Sequence, residues 1–239
     1  MSLFAGLNKD GLEKDKDVVG GSGSNRLESN VYAGTLKAVY ITKTKDNGLM
    51  ANVLFTPEGS DTEYRESLFI SNGKGQNYYE KNEKKFPYPG FTIIDDLCTI
   101  VTGKPLSEQD TEDKIFKLYD YDLKEEIPTT VPVISGLLGV EANLVIRKNE
   151  EYKQAKSDNG YVDTDEKIFT NEILKAIYPD GSTVSEKANK ADPVYTEAWL
   201  EKWKDTVYDK TKGKTPKVSG ASSSNSQNTE RKSLFSKKA

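Results

Sequence analysis

The sequence predicts a mainly β fold with α additions: a curled antiparallel meander, one internal helix and C-terminal helices, flanked by two disordered tails. Three observations carry this reading. Apolar and polar residues alternate with a period of two over Leu49 to Thr56 and again over Val140 to Ile146, the pattern of strands with one buried face. Phe91, Ile94, Leu97, Cys98 and Val101 recur instead at helical spacing. Glycine and serine gather towards both ends, where no hydrophobic period survives. The expected organisation is a flexible N-terminal arm over residues 1–30, one body over 31–209 and a disordered basic tail over 210–239.

Taken in order, strand signals begin at Val31 and run to about Lys43, interrupted by Gly34, where a bulge would let the strand curl as small barrels require. Lys45-Asp46-Asn47-Gly48 reads as a hairpin turn. The next strand puts Leu49, Ala51, Val53 and Phe55 on one face, and Pro57-Glu58-Gly59-Ser60 turns it into a third strand, Tyr64 to Ser71. Pro89-Gly90 opens the helix that carries Cys98, and Gly103 followed by Pro105 stops it. Further strands are expected at Lys114 to Tyr121, Thr129 to Ile134, and in a long hairpin that starts at Val140, turns at Asp158-Asn159-Gly160 and returns through Ile168 to Ile177. That makes six or seven strands. Thr183-Val184-Ser185-Glu186 forms a capping box for a short helix. After Pro193 a second helix places Tyr195, Trp199, Leu200, Trp203 and Val207 on one stripe docked on the barrel.

Composition narrows the function classes. A chain of 239 residues, 35% hydrophobic and 30% charged, can bury one core of about 170 to 190 residues. Neither end carries a long apolar run or the order of a signal peptide, so no membrane association and an intracellular location are expected. With no histidine and one cysteine, no internal disulfide, zinc site or histidine-based triad can be assembled. Cys98 lies on the apolar stripe of its helix and reads as a buried thiol. Most familiar enzyme chemistries therefore drop out, and no cofactor is expected. The net charge of −4 is unevenly spread: from Lys210 onward eight cations face the single carboxylate Glu230, a net of +7 that leaves −11 on the rest. A nucleic-acid site on such an acidic body must be a local basic groove.

One segment combines the chemistry such a groove needs. Ser71-Asn72-Gly73-Lys74-Gly75-Gln76-Asn77-Tyr78-Tyr79-Glu80-Lys81, continuing through Lys84, Lys85, Phe86 and Tyr88, puts flexible backbone, cations and aromatic rings together. Unpaired bases stack on such rings while lysines track the phosphates. The competing reading is a polar hairpin loop whose tyrosines cover the edge of the core. On the binding reading Tyr78 and Tyr79 stack bases, Lys74, Lys81, Lys84 and Lys85 neutralise phosphates, Phe86 and Tyr88 add aromatic surface, and Tyr40 and Arg65 extend the groove along the barrel face. At the other end of the chain, Leu234 and Phe235 lie among Arg231, Lys232, Lys237 and Lys238, a pattern with which short disordered segments dock on acidic, pocketed partners.

From Val31 to about Thr206 the order of motifs resembles the single-stranded DNA-binding proteins of tailed phages, particularly podoviruses that carry an RNA polymerase in the virion. The resemblance rests on Gly73-Lys74-Gly75 followed by Asn77-Tyr78-Tyr79, and on Pro89-Gly90-Phe91 opening the helix of Leu97-Cys98 with Thr102-Gly103 at its close. Lys117-Leu118-Tyr119-Asp120-Tyr121-Asp122, Val131-Pro132-Val133 and Leu137-Leu138-Gly139 follow in the same order. It implies an OB-type, partly open barrel that binds single strands across one face. It also implies a non-enzymatic role in the host cell cytoplasm: coating and protecting strands in phage DNA replication and recombination, and acting as a transcription cofactor whose basic C-terminus contacts RNA polymerase. Replication and recombination proteins are further implied partners. Two other classes stay open. One is a phage virion or assembly protein with an OB-like domain. The other is a magnesium-dependent nuclease using Asp95 and Asp96, or Glu108, Asp110, Glu112 and Asp113.

Overall fold

The computed structural model describes residues 26–120, 123–157 and 160–216. The expected arm up to residue 25, Tyr121 and Asp122, the hairpin tip Asp158-Asn159, and the tail from Lys217 with its anchors Leu234 and Phe235 lie outside the described residues.

The chain is mainly β, with few helices. In order, the described residues form β1 (Asn30–Lys43), β2 (Leu49–Pro57), β3 (Tyr64–Ser71), β4 (Tyr78–Lys81), β5 (Lys84–Pro87), α1 (Pro89–Thr102), β6 (Thr111–Asp120), β7 (Glu125–Ile134), β8 (Val140–Ser157), β9 (Gly160–Ile177), α2 (Val184–Ala188), α3 (Tyr195–Trp203) and β10 (Val207–Asp209). The seven long strands match those expected from the strand and turn signals. The three additional ones are short. β4 and β5 sit inside the aromatic segment, and β10 pairs parallel with β8 through Val207, Tyr208 and Asp209. Val207 therefore leaves the helical stripe where it was expected. Helix α3 stops at Trp203, and Asp205 turns the chain with φ 55°.

Strand β1 organises the large sheet. Its first half pairs with β8 and its second half with β2, while Tyr40 also meets Val133 of β7; β3 extends the β2 side, β9 the β8 side and β6 the β7 side. The expected irregularity in β1 is present, but it falls between Leu36 and Ala38 instead of at Gly34. The extra residue, Lys37, reverses which side chains face inward. Tyr32 and Leu36 before it, and Val39 and Ile41 after it, all join the main core. Gly34 serves close approach instead: a Cβ there would lie 2.3 Å from the Thr56 carbonyl oxygen and 2.6 Å from the Phe55 ring.

Two apolar clusters therefore lie on opposite faces of β1 and β2. The main core packs Leu36, Val39, Val53 and Phe55 against Ile94, Leu97 and Cys98 of α1 and Leu144, Ile146 and Ile173 of the long hairpin. The second joins Ala38, Tyr40 and Leu54 to Val131 and Val133, with Phe116 and Leu118 beside them. Burial pushes the Cys98 thiol up to about 12, in keeping with a packing role.

The sheet does not close into a barrel. Helix α1 packs on both β3 and β9 across the opening. Gly90 lets its first turn approach β3, since a Cβ would lie 2.5 Å from the Phe69 carbonyl oxygen. Lys175 of β9 holds Asp96 of α1 at 3.3 Å, and Glu66 of β3 accepts the Ile173 N–H of β9 at 2.7 Å. The same Glu66 oxygen accepts the Tyr64 hydroxyl at 2.5 Å. Burial pushes Glu66 up to about 7 and Tyr64 well above the ordinary phenol range.

Both boundaries of the body move outward from residues 31 and 209. Leu27 exchanges two hydrogen bonds with the Asn171 side chain. The buried Ser29 hydroxyl donates to the Thr206 carbonyl and accepts the Lys148 N–H. At the other end Lys210 pairs with Glu172 at 3.0 Å, and Thr211 is buried against the Asp209 carboxylate. Lys210 belongs to the body, although its charge alone placed it with the cationic tail.

Candidate nucleic-acid interface

The aromatic segment is built as a turn followed by a two-stranded hairpin. Asn72 organises the turn: its side-chain oxygen accepts the N–H groups of Lys74 and Gln76, and Gly75 takes φ 75°. Gly73 presses against the preceding hairpin turn, where a Cβ would fall 1.8 Å from the Asp46 carbonyl oxygen. β4 and β5 then pair through a two-residue turn, Asn82-Glu83, with φ 52° and 62°. Such left-handed pairs match the twist of a tight hairpin.

Register divides the site residues between two faces. Tyr79 lies opposite Phe86 and Lys81 opposite Lys84, so these four share one face; Tyr78, Glu80, Lys85 and Pro87 share the other. The adjacent tyrosines, both expected to stack bases, thus point to opposite sides of the hairpin. Tyr79 stacks on Phe86 with centroids 5.7 Å apart and planes 27° apart, and both rings stay open to solvent at 43% and 39% exposure. Tyr79 also lies 5.9 Å from Tyr88, which meets Phe69 of β3 edge-on at 4.8 Å. Four rings therefore run from the hairpin to the sheet. On the same face Lys81 and Lys84 stand directly opposite each other. Like charges in this relation destabilise a strand pair, and a bound polyanion would remove the penalty.

The other face is more self-contained. The Lys85 ammonium sits 4.6 Å from the Tyr78 ring centre, and the Tyr78 hydroxyl accepts from Gln76 at 3.2 Å. The hydrogen bond between Lys85 and Tyr78 raises the ammonium above its ordinary range. Lys74 is exposed on the turn that leads into β4.

The two sheet residues expected to extend the groove are placed differently. Arg65 is exposed on β3, on the face shared with Ser67 and Phe69, but its Nε already donates to Glu63 at 2.6 Å; Lys37 reaches the same carboxylate at 3.5 Å. Tyr40 is only 9% exposed and stacks on Phe116 at 5.3 Å, and burial raises its phenol. Its ring is part of the second cluster and is covered. Between these positions Ser67 donates to Asn52 at 2.6 Å and Asn52 donates to Thr42 at 2.9 Å, a polar strip across the outer sheet face.

Phe69 is the residue that sequence reasoning missed. Its signal was the alternation of Arg65, Ser67 and Phe69 along β3, opposite Leu54, Asn52 and Met50. The tail residues Arg231, Lys232, Leu234, Phe235, Lys237 and Lys238 lie outside the described residues. No helix among the described residues is long and apolar enough to cross a membrane.

Comparison with known proteins adds no family: no family model matches this chain, and no curated protein matches it.

Proposed function

We propose that the protein binds single-stranded DNA along the row Phe86, Tyr79, Tyr88 and Phe69, with Lys81 and Lys84 on the phosphates and the outer face of β1–β3 continuing the track. The observation that carries this reading is the open Tyr79–Phe86 stack sharing a hairpin face with two opposed lysines. Exposed rings offer every base a flat surface, and paired ammonium groups attract its backbone. Arg65 joins by exchanging Glu63 for a phosphate, and Lys74 flanks the entrance. In this reading the curled sheet with α1 across its opening is an OB-type, partly open barrel.

The biological role that goes with this chemistry is non-enzymatic: coating and protecting strands in phage DNA replication and recombination, in the host cell cytoplasm. The cationic C-terminal segment with Leu234 and Phe235 is the contact for RNA polymerase and gives the protein its transcription-cofactor role. The nuclease alternative is weakened because Asp95 accepts the Leu106 N–H at 2.8 Å and Asp96 is held by Lys175. Both carboxylates have structural partners.

The test is a fluorescence binding titration with an oligothymidine strand. Replacing Tyr79 and Phe86 together with Ala should weaken binding by more than tenfold, given about 1 to 3 kcal/mol per stacked base. Tyr78→Ala, on the opposite face, should have a much smaller effect. Equal losses from Tyr78→Ala and the double variant would refute the one-face track, and unchanged affinity in both would refute the site.

A further inference from the structure

The β6–β7 hairpin presents a long strand edge. Among the described residues β6 pairs with β7 and with no other strand. Across that ladder Asp113 lies opposite Pro132 and Lys117 opposite Pro128. Proline has no N–H to give, so these pairs occupy the non-hydrogen-bonded positions of the ladder. The N–H and C=O groups of Asp113, Ile115 and Lys117 consequently point away from β7, towards the open edge.

The side chains of the same three residues share a face, opposite to Phe116 and Leu118 of the second cluster. Ile115 is 71% exposed, and Asp113 and Lys117 beside it are exposed as well. On the reverse face Lys114 is already paired with Glu112 at 3.3 Å. An edge carrying an open isoleucine is one that natural sheets ordinarily cover or blunt with charge. Here the charges are of opposite sign and equidistant from the isoleucine.

We propose that β6 pairs antiparallel with β6 of a second copy of this chain about a two-fold axis at Ile115. In that register Ile115 meets the partner's Ile115 at a hydrogen-bonded position. Asp113 meets the partner's Lys117, and Lys117 meets the partner's Asp113. A slip of two residues puts a charge opposite isoleucine, and a slip of one turns the faces over. The Asp-Ile-Lys spacing therefore selects one register. Two β6–β7 hairpins become one continuous four-stranded sheet, and because the contact is isologous the assembly closes as a dimer. The association does not require nucleic acid.

Sedimentation of the full-length protein over a concentration series tests this. The wild type should dimerise reversibly. Lys117→Asp and Asp113→Lys should each weaken dimerisation by more than tenfold, and the double swap Asp113→Lys/Lys117→Asp should restore it, because the swap re-forms both ion pairs with reversed sign. Ile115→Cys supplies a second readout. Opposed Cα atoms about 5.5 Å apart lie within disulfide reach, so mild oxidation should link two chains, whereas Thr130→Cys on the adjacent strand should not link. Cys98 is buried and stays silent. Circular dichroism verifies that each variant is folded. A wild type that stays monomeric, a double swap that fails to recover, or a folded Ile115→Cys protein that does not link would overturn the proposal.

Discussion

Among the described residues the same aromatic arrangement occurs in two very different settings. Tyr40 stacks on Phe116 at 5.3 Å and 21°, and Tyr79 stacks on Phe86 at 5.7 Å and 27°. In geometry the pairs are near-equivalent; in environment they are opposites. Tyr40 sits on a strand whose neighbours β2 and β7 supply Leu54, Val131 and Val133, so its ring is closed over. Tyr79 sits on a two-stranded ribbon outside the large sheet, and its ring faces water. Ring pairing alone therefore does not mark a binding platform. What marks one is the absence of a second layer above the rings, together with cations on the same face.

Three measurements sharpen that contrast beyond the titration of the Tyr79 and Phe86 variants. The largest effect should come from the covered pair. Tyr40→Ala removes a large buried ring, and losses of this kind cost about 3 kcal/mol or more of stability. Chemical denaturation should show a clearly lowered midpoint for Tyr40→Ala and little change for Tyr79→Ala. Comparable losses from both would mean that the hairpin rings are core residues.

The seam between β3 and β9 should give an intermediate effect. Glu66 is pushed from 4.5 to about 7 by burial, so the folded state holds this proton more tightly than the unfolded chain does. The contribution of Glu66 to stability is then greatest below about pH 4.5, and it is lost as pH rises through the window up to about 7. A shift of this size corresponds to roughly 3 kcal/mol at most. Glu66→Gln keeps an acceptor for Ile173 and should flatten the fall in melting temperature across that window. An unchanged pH profile would show that Glu66 does not titrate differently on folding.

The smallest effect concerns charge. Lys84→Ala removes one of two opposed ammonium groups, so folding stability should stay level or rise by a few tenths of a kcal/mol. The salt dependence of oligothymidine binding should meanwhile flatten by roughly 0.7 in slope for one lost phosphate contact. A slope equal to that of the wild type would place Lys84 away from the strand.

Much of the architecture was legible because its signals are local. Alternation located β2 and the start of β8, strand and turn signals located the other long strands, Gly103 and Pro105 marked the end of α1, and Thr183 with Glu186 formed the capping box that opens α2. The short strands were not legible: four-residue segments rich in lysine and tyrosine carry no burial pattern, and β10 is held by its partner β8. The candidate site was legible as a composition and not as a surface. Adjacent Tyr78 and Tyr79 look alike in a sequence, yet pleating sends them to opposite faces. Asn82 and Glu83, which set that register, were not among the turn signals read.

Residue order was sufficient for periodicity and helix ends, which depend on neighbours a few positions apart, and residue counts alone excluded histidine chemistry and showed the uneven charge. It did not reveal that β2 is buried on both sides, with Val53 in one cluster and Leu54 in the other, or that Tyr40 is sealed while Tyr79 is open. Those outcomes depend on which distant strand or helix lies across each face. The Lys37 bulge, the span of α1 over the open seam and the placement of β6–β7 beside β1 are long-range events, and burial is a property of the layers they bring together.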